Sequence, residues 1–226
     1  MSWRENSATL SEPRLKFMVD AGIGRLLVAS LHQAIADVAP TRLPFYENWL
    51  TPPGFAEPRI GLAPLNAALS FLRREGHPAY EAVVRRAGEY SAEWTFHELS
   101  SFRRAVVRRS PTGLRARWAL NLSRRAIAET FRDAEARVRL RRGAGTLVIG
   151  RSIFCVVRET AEWPTCGFYA ALVDRLLSRC DISASVSVGE CRASGGSGCC
   201  RLAVTIHGAR GPVPIADAPS PSEEAA

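Results

Sequence analysis

Lysine is almost absent from this chain: Lys16 stands alone, and the other basic residues, 30 in all with it, are arginine. A surface built to grip nucleic acid usually mixes the two. The arginine pairs here (Arg73-Arg74, Arg85-Arg86, Arg103-Arg104, Arg108-Arg109, Arg124-Arg125) are interleaved with acids such as Glu81, Glu89, Glu93 and Glu129. They read as solvated helix faces, and with no reading motif beside them nucleic-acid binding is not expected despite the net charge of +8. Long apolar runs are missing too, which excludes a membrane-spanning helix. Residues 1–12 lack the basic-then-apolar order of a secretory signal. The expected setting is therefore cytoplasmic, with the six cysteines reduced.

Cofactor and catalytic motifs are equally scarce. There is no G-x-G-x-x-G and no phosphate loop, so a self-contained nicotinamide- or nucleotide-dependent enzyme has no support. The four histidines, His32, His77, His97 and His207, fall singly, and none pairs with a cysteine or a second histidine. Nucleophilic triads lack a base, and enzyme activity is not the expectation. His32, His97 or His207 can in principle hold a tetrapyrrole metal, but nothing selects among them.

What is present is an adequate core. At 226 residues and 46% hydrophobic, the chain suits one domain with tails. A flexible leader is expected over 1–12, a single domain over 13–207 and a disordered tail over 208–226. Helical spacing runs from Leu15 to Val38, through Phe17, Ile23, Leu27, Leu31 and Ile35. Pro40 to Pro64 reads as an irregular connector, with a short amphipathic turn at 44–50. Further helices are expected over 65–74, 79–96, 99–109, 114–131 and 166–180, with a break where Pro78 ends any helix before it. Ala136, Val138 and Leu140 alternate with Arg137, Arg139 and Arg141, the mark of a strand with one solvated face. Residues 146–149 and 153–157 read as one interrupted strand or two short ones. Residues 184–192 and 201–207 read as a hairpin across a glycine-rich turn. The expected fold class is α+β: a helical N-terminal half packed on a small antiparallel sheet formed by the C-terminal half.

Four cysteines fall in the last stretch: Cys166 in Cys-Gly-Phe-Tyr, and Cys191, Cys199 and Cys200 around Gly195-Gly-Ser-Gly198. A hairpin with a glycine turn can bring two thiolates side by side, and zinc takes four tetrahedral sulfur, nitrogen or oxygen ligands. The candidate metal ligands are Cys166, Cys191, and Cys199 or Cys200, with Glu190, His207 or Cys155 as the fourth. The alternative is that these thiols are small buried hydrophobes. Phe45, Tyr46, Trp49, Phe55, Trp94, Phe96, Phe102 and Trp118 can line an apolar ligand pocket or simply pack between helices.

The stretch from Ser152 to Ile206 resembles the 4-vinyl reductase domain, through Cys166 with Phe168 and Tyr169, the following helix, Glu190, Cys191, Gly195, Cys199 or Cys200, and Leu202. In zinc-bearing members the glutamate ligand lies three residues before the first hairpin cysteine, where this chain has Val188. The resemblance implies a fold shared with small subunits of a vesicle-tethering complex and with aromatic-responsive sensors. It further implies a domain that holds a small hydrophobic or tetrapyrrole ligand, in contact with Phe45, Tyr46, Trp49, Trp94, Trp118, Phe168 and Tyr169, in support of bacteriochlorophyll synthesis and photosynthesis. Zinc and a homodimer are implied as well. The alternatives are a stand-alone sensor that dimerises on a small aromatic, and a reductase of a chlorophyllide vinyl group.

Overall fold

The computed structural model describes residues 22–50, 62–141, 143–156, 160–196 and 198–209, without the side chains of 48 and 49. Helix α1 is Arg25–Val38, followed by a 3-10 turn, Pro40–Arg42, and α2, Leu43–Leu50. Then come α3 (Leu62–Arg74), α4 (His77–His97), α5 (Ser101–Arg109) and α6 (Thr112–Thr130). The second half holds β1 (Glu135–Arg141), β2 (Ala144–Gly150), α7 (Gly167–Arg179), β3 (Ile182–Glu190) and β4 (Cys200–Ala209). The strands form one antiparallel sheet in the order β1-β2-β4-β3. The architecture is α+β, as the periodicity predicts.

Local chemistry explains the boundaries. Gly76, at φ 103°, takes a conformation open to glycine, and the proline that follows fits the first turn of α4. Ser100 caps α5 by accepting the backbone N–H of Arg103 at 3.4 Å. The strand stretch expected from Ile153, whether resumed or separate, does not form: β2 ends at Gly150, Arg151 turns to φ 48° and Ile153–Cys155 wind into a fully buried 3-10 turn. An apolar run buried on every side looks alike in a strand and in a compact turn, so alternation could not separate them.

The centre of the molecule is α7. Phe168, Tyr169, Leu172, Val173, Leu176 and Leu177 are buried, and the helix packs on α4, α6 and β3. Gly88 of α4 permits the closest approach: a Cβ there would lie 2.2 Å from the carbonyl oxygen of Phe168. Leu147 and Ile149 of β2, Leu202 and Val204 of β4 and Ile182 of β3 complete the core from the sheet. The arginine face of β1 is exposed, as its alternation predicts. Among the described residues, no helix is long and apolar enough to cross a membrane. The expected tail begins too early, since β4 runs through Ala209; residues 1–21, 51–61 and 210–226 lie outside the described residues, and with them Phe55 and the expected leader.

Candidate metal centre

Four segments each bring one thiol to a single point. Cys155 ends the 3-10 turn after β2, Cys166 caps α7, Cys191 follows the last residue of β3, and Cys200 opens β4. All four are buried, and their Sγ atoms lie within 4.8 Å of one another. Cys155 Sγ is 3.4 Å from Cys166, 3.5 Å from Cys191 and 3.2 Å from Cys200. Cys166 Sγ is 3.0 Å from Cys191 and 3.1 Å from Cys200. A regular tetrahedron around zinc, with Zn–S of about 2.3 Å, has edges of about 3.8 Å. The thiol cluster is tighter than that figure on five of its six edges, at 3.0–3.5 Å, and the sixth, Cys191 to Cys200, is within 4.8 Å. It has room for one ion, whereas a multi-iron cluster would spread the thiols further. None of the cysteines is in a disulfide.

The loops are built to hold this arrangement. Gly196 donates its backbone N–H to the Cys191 carbonyl at 2.9 Å, and a Cβ on it would come 2.7 Å from that oxygen. The backbone N–H of Thr165 donates to Cys191 Sγ at 3.4 Å, and its hydroxyl donates to the Phe154 carbonyl at 2.8 Å. Tyr80 of α4 donates its hydroxyl to the Thr165 carbonyl at 2.8 Å, tying the helical half to the site. Arg73 of α3 donates Nε to the Leu69 carbonyl at 3.1 Å, while its Nη1 is buried with no hydrogen-bond partner. Burial pulls the Arg73 pKa down, and attraction to Tyr80 and Cys155 opposes that pull.

The thiols titrate as one system. Hydrogen bonding from Cys166 draws Cys155 down to about 6. Cys191 is drawn down first by Cys155, while Cys166 and Cys200 are pushed up, again first by Cys155. A thiolate is favoured where neighbouring S–H groups donate to it, at the cost of ionising those neighbours. Four thiolates this close repel one another, and only a cation at their centre lets all ionise together.

Of the metal candidates read from sequence, Cys166, Cys191 and Cys200 meet here, with Cys155 rather than Glu190 or His207 as the fourth. Cys199, just before β4, is half-buried and is not among the four clustered thiols. Glu190 lies beside Arg201 at 3.7 Å, and His207 is exposed. Thr165 was not singled out from sequence, and Arg73 was read only as part of a solvated arginine pair. A threonine beside a cysteine that opens a helix was the available hint for the first; nothing marked the second.

The expected ligand-binding aromatics are not gathered about one cavity. Phe168 and Tyr169 are buried against Phe154, with ring centroids 4.9 and 5.3 Å away. Tyr46 is buried and donates its hydroxyl to Glu75 at 2.8 Å, Phe45 meets Phe71 edge-on at 5.0 Å, and Trp94 stacks on Tyr90 at 5.5 Å. The Trp49 side chain lies outside the described set. Trp118 lines a trough of about 700 Å³ between α5 and α6, bounded by Leu99, Phe102, Val106, Leu114 and Leu122.

No family model matches this chain, and no curated protein matches it in sequence. The solved structures similar in fold include two H-NOX proteins. One is an H-NOX protein from S. oneidensis in the Fe(II)NO ligation state, at TM-score 0.51 and 10% identity, covering 81% of this chain and 99% of that one. The other is a mutant H-NOX protein from S. oneidensis in the Fe(II) state, at TM-score 0.50 and 10% identity, covering 83% of this chain and 98% of that one. These findings overturn the 4-vinyl reductase resemblance, and with it the expected roles in bacteriochlorophyll synthesis, photosynthesis and vinyl reduction. The resemblance rested on cysteines, a glycine turn and an aromatic pair, which are what this thiol site and its core need locally. Such residues describe a site rather than a lineage. In fold, the chain is similar to H-NOX, heme-nitric oxide/oxygen binding, domains.

Proposed function

We propose that this chain is a non-catalytic small-molecule-binding domain whose C-terminal half is stapled by one zinc ion held by Cys155, Cys166, Cys191 and Cys200. The observation that carries the metal assignment is the buried tetrahedron of four thiols. Tetrahedral all-sulfur sites suit zinc, and a site filled by four protein ligands leaves no position for substrate. Zinc with four thiolates carries a net charge of −2. The half-buried cation of Arg73, attracted to Cys155, and the backbone N–H of Thr165 offset that charge.

The fold likeness supports the ligand-binding half of this reading, but an iron-haem role does not fit the residues present. A haem iron needs an axial imidazole, thiolate, thioether or phenolate. Among the described residues, none of these lines the cleft. His32 lies 3.5 Å from Glu47 on the surface of α1 and α2, and His77, His97 and His207 are exposed. Any ligand is held there by its apolar body and its charge.

Metal analysis of protein purified under reducing conditions tests the zinc site. About one zinc per chain is expected; Cys191→Ser or Cys200→Ser abolishes it, and Cys199→Ser leaves it unchanged. Metal-free protein, or iron in place of zinc, overturns the assignment.

A further inference from the structure

We infer that the trough between α5 and α6 binds an amphiphilic carboxylate, an apolar chain ending in one negative charge. The inference rests on the ligand-binding half of the reading above and supplies its ligand class. Phe102, Val106 and Leu114 are 77%, 49% and 56% exposed, and all three border the trough. Trp118 and Leu122 form its half-buried floor. Large apolar side chains brought together in water mark a binding surface. The volume of about 700 Å³ lies in the range of small-molecule sites.

The charge around the trough has one sign. Arg103, Arg115, Arg124 and Arg125 line it, and no acidic residue does. α5 carries no acid at all, and the one acid of α6, Glu129, lies in its last turn. Arg115 is spoken for, 3.9 Å from Asp181. Among the described residues, no ion pair reaches Arg103, Arg124 or Arg125. Elsewhere on this surface the arginines do find carboxylates, as Arg86 does with Asp37 and Glu89, and Arg179 with Glu93. Three guanidinium groups without carboxylates beside an open apolar trough suit a ligand that brings its own carboxylate, through charge-assisted hydrogen bonds. The apolar residues face one another across a concave trough, which suits a single chain better than the flat surface of a bilayer.

Calorimetric titration of the purified chain with decanoate and with 1-decanol tests the inference, with zinc measured in the same samples. Decanoate should bind one per chain, and decanol at least tenfold more weakly. The triple variant Arg103→Gln, Arg124→Gln, Arg125→Gln, at two exposed and one half-buried position, should weaken decanoate at least tenfold without moving the melting temperature. Equal affinity for decanol, or unchanged decanoate affinity in the variant, overturns the proposal. So does sedimentation with phosphatidylglycerol vesicles when free decanoate fails to bind, which would make the trough a membrane contact. Decanoate failing while zinc is present rejects the trough and spares the metal centre; decanoate binding to zinc-free protein does the reverse.

Discussion

Arg73 shows how a residue outside the ligand set can decide a metal's affinity. Its half-buried guanidinium is held by Leu69, and its Nη1 is buried and unpaired, an arrangement that costs stability unless an anion stands near. Under the proposed zinc site, the tetrathiolate centre would be that anion. Arg73→Gln should therefore weaken zinc about tenfold, the size of effect expected when a charge that supports the metal's ligands is lost, as read by competition with a coloured chelator. Cys180, at the end of α7, is a thiol of another kind. Buried away from the cluster, and with Asp181 next to it, its pKa is pushed up to about 12. The unfolded chain ionises that thiol near 8.5, so stability is complete below that pH and falls as pH rises toward 12. Cys180→Ala should remove this part of the alkaline loss, seen as a flatter fall of the urea midpoint between pH 9 and 11. In the sequence Cys180 and Cys166 look alike. What separates them is partners brought from distant segments, which spacing does not encode.

At the scale of elements, the contact between α4 and α7 sets how closely the two halves approach. Gly88 is what allows it. Gly88→Ala would set a methyl group against the Phe168 carbonyl, backbone against which no rotamer gives relief. A loss of about 2–3 kcal/mol, toward the upper part of the overpacking range, should appear as a lower urea midpoint. Helix positions were legible because apolar spacing and proline breaks survive burial: α3, α4, α5 and α6 lie within a few residues of where the pattern puts them. The 3-10 turn at Ile153–Cys155 was not legible as a turn. Three consecutive buried residues carry no period, and the one departure that forces the turn, positive φ at Arg151, has no sequence signature in an arginine.

For the whole molecule, the four thiols join segments that secondary structure alone leaves loosely connected. Removing zinc with a strong chelator should reduce amide-exchange protection around 153–155 and 191–200 first, while α1 and α4 keep theirs. Uniform loss across both halves would mean instead that the ion holds the entire fold. The α+β class and the existence of a thiol site could both be read from the chain. The family could not, because a handful of cysteines and glycines constrains local geometry and leaves ancestry open. The trough was hidden for a similar reason: arginine pairs in sequence look solvated everywhere, and only the helix packing shows which of them lack carboxylates.

The strand order carries a consequence for synthesis. β4, last of the strands in the chain, lies between β2 and β3 and contributes Cys200. While a ribosome is still adding residues before 200, β2 and β3 have no common neighbour and the tetrahedron lacks a corner. The helices can gather as they emerge, but the complete sheet and the four-thiol cluster must wait for β4. Closure of this fold is thus a late event, timed by the departure of one strand from the exit tunnel, and a pause shortly before that point would leave three thiols open to the wrong metal or to oxidation.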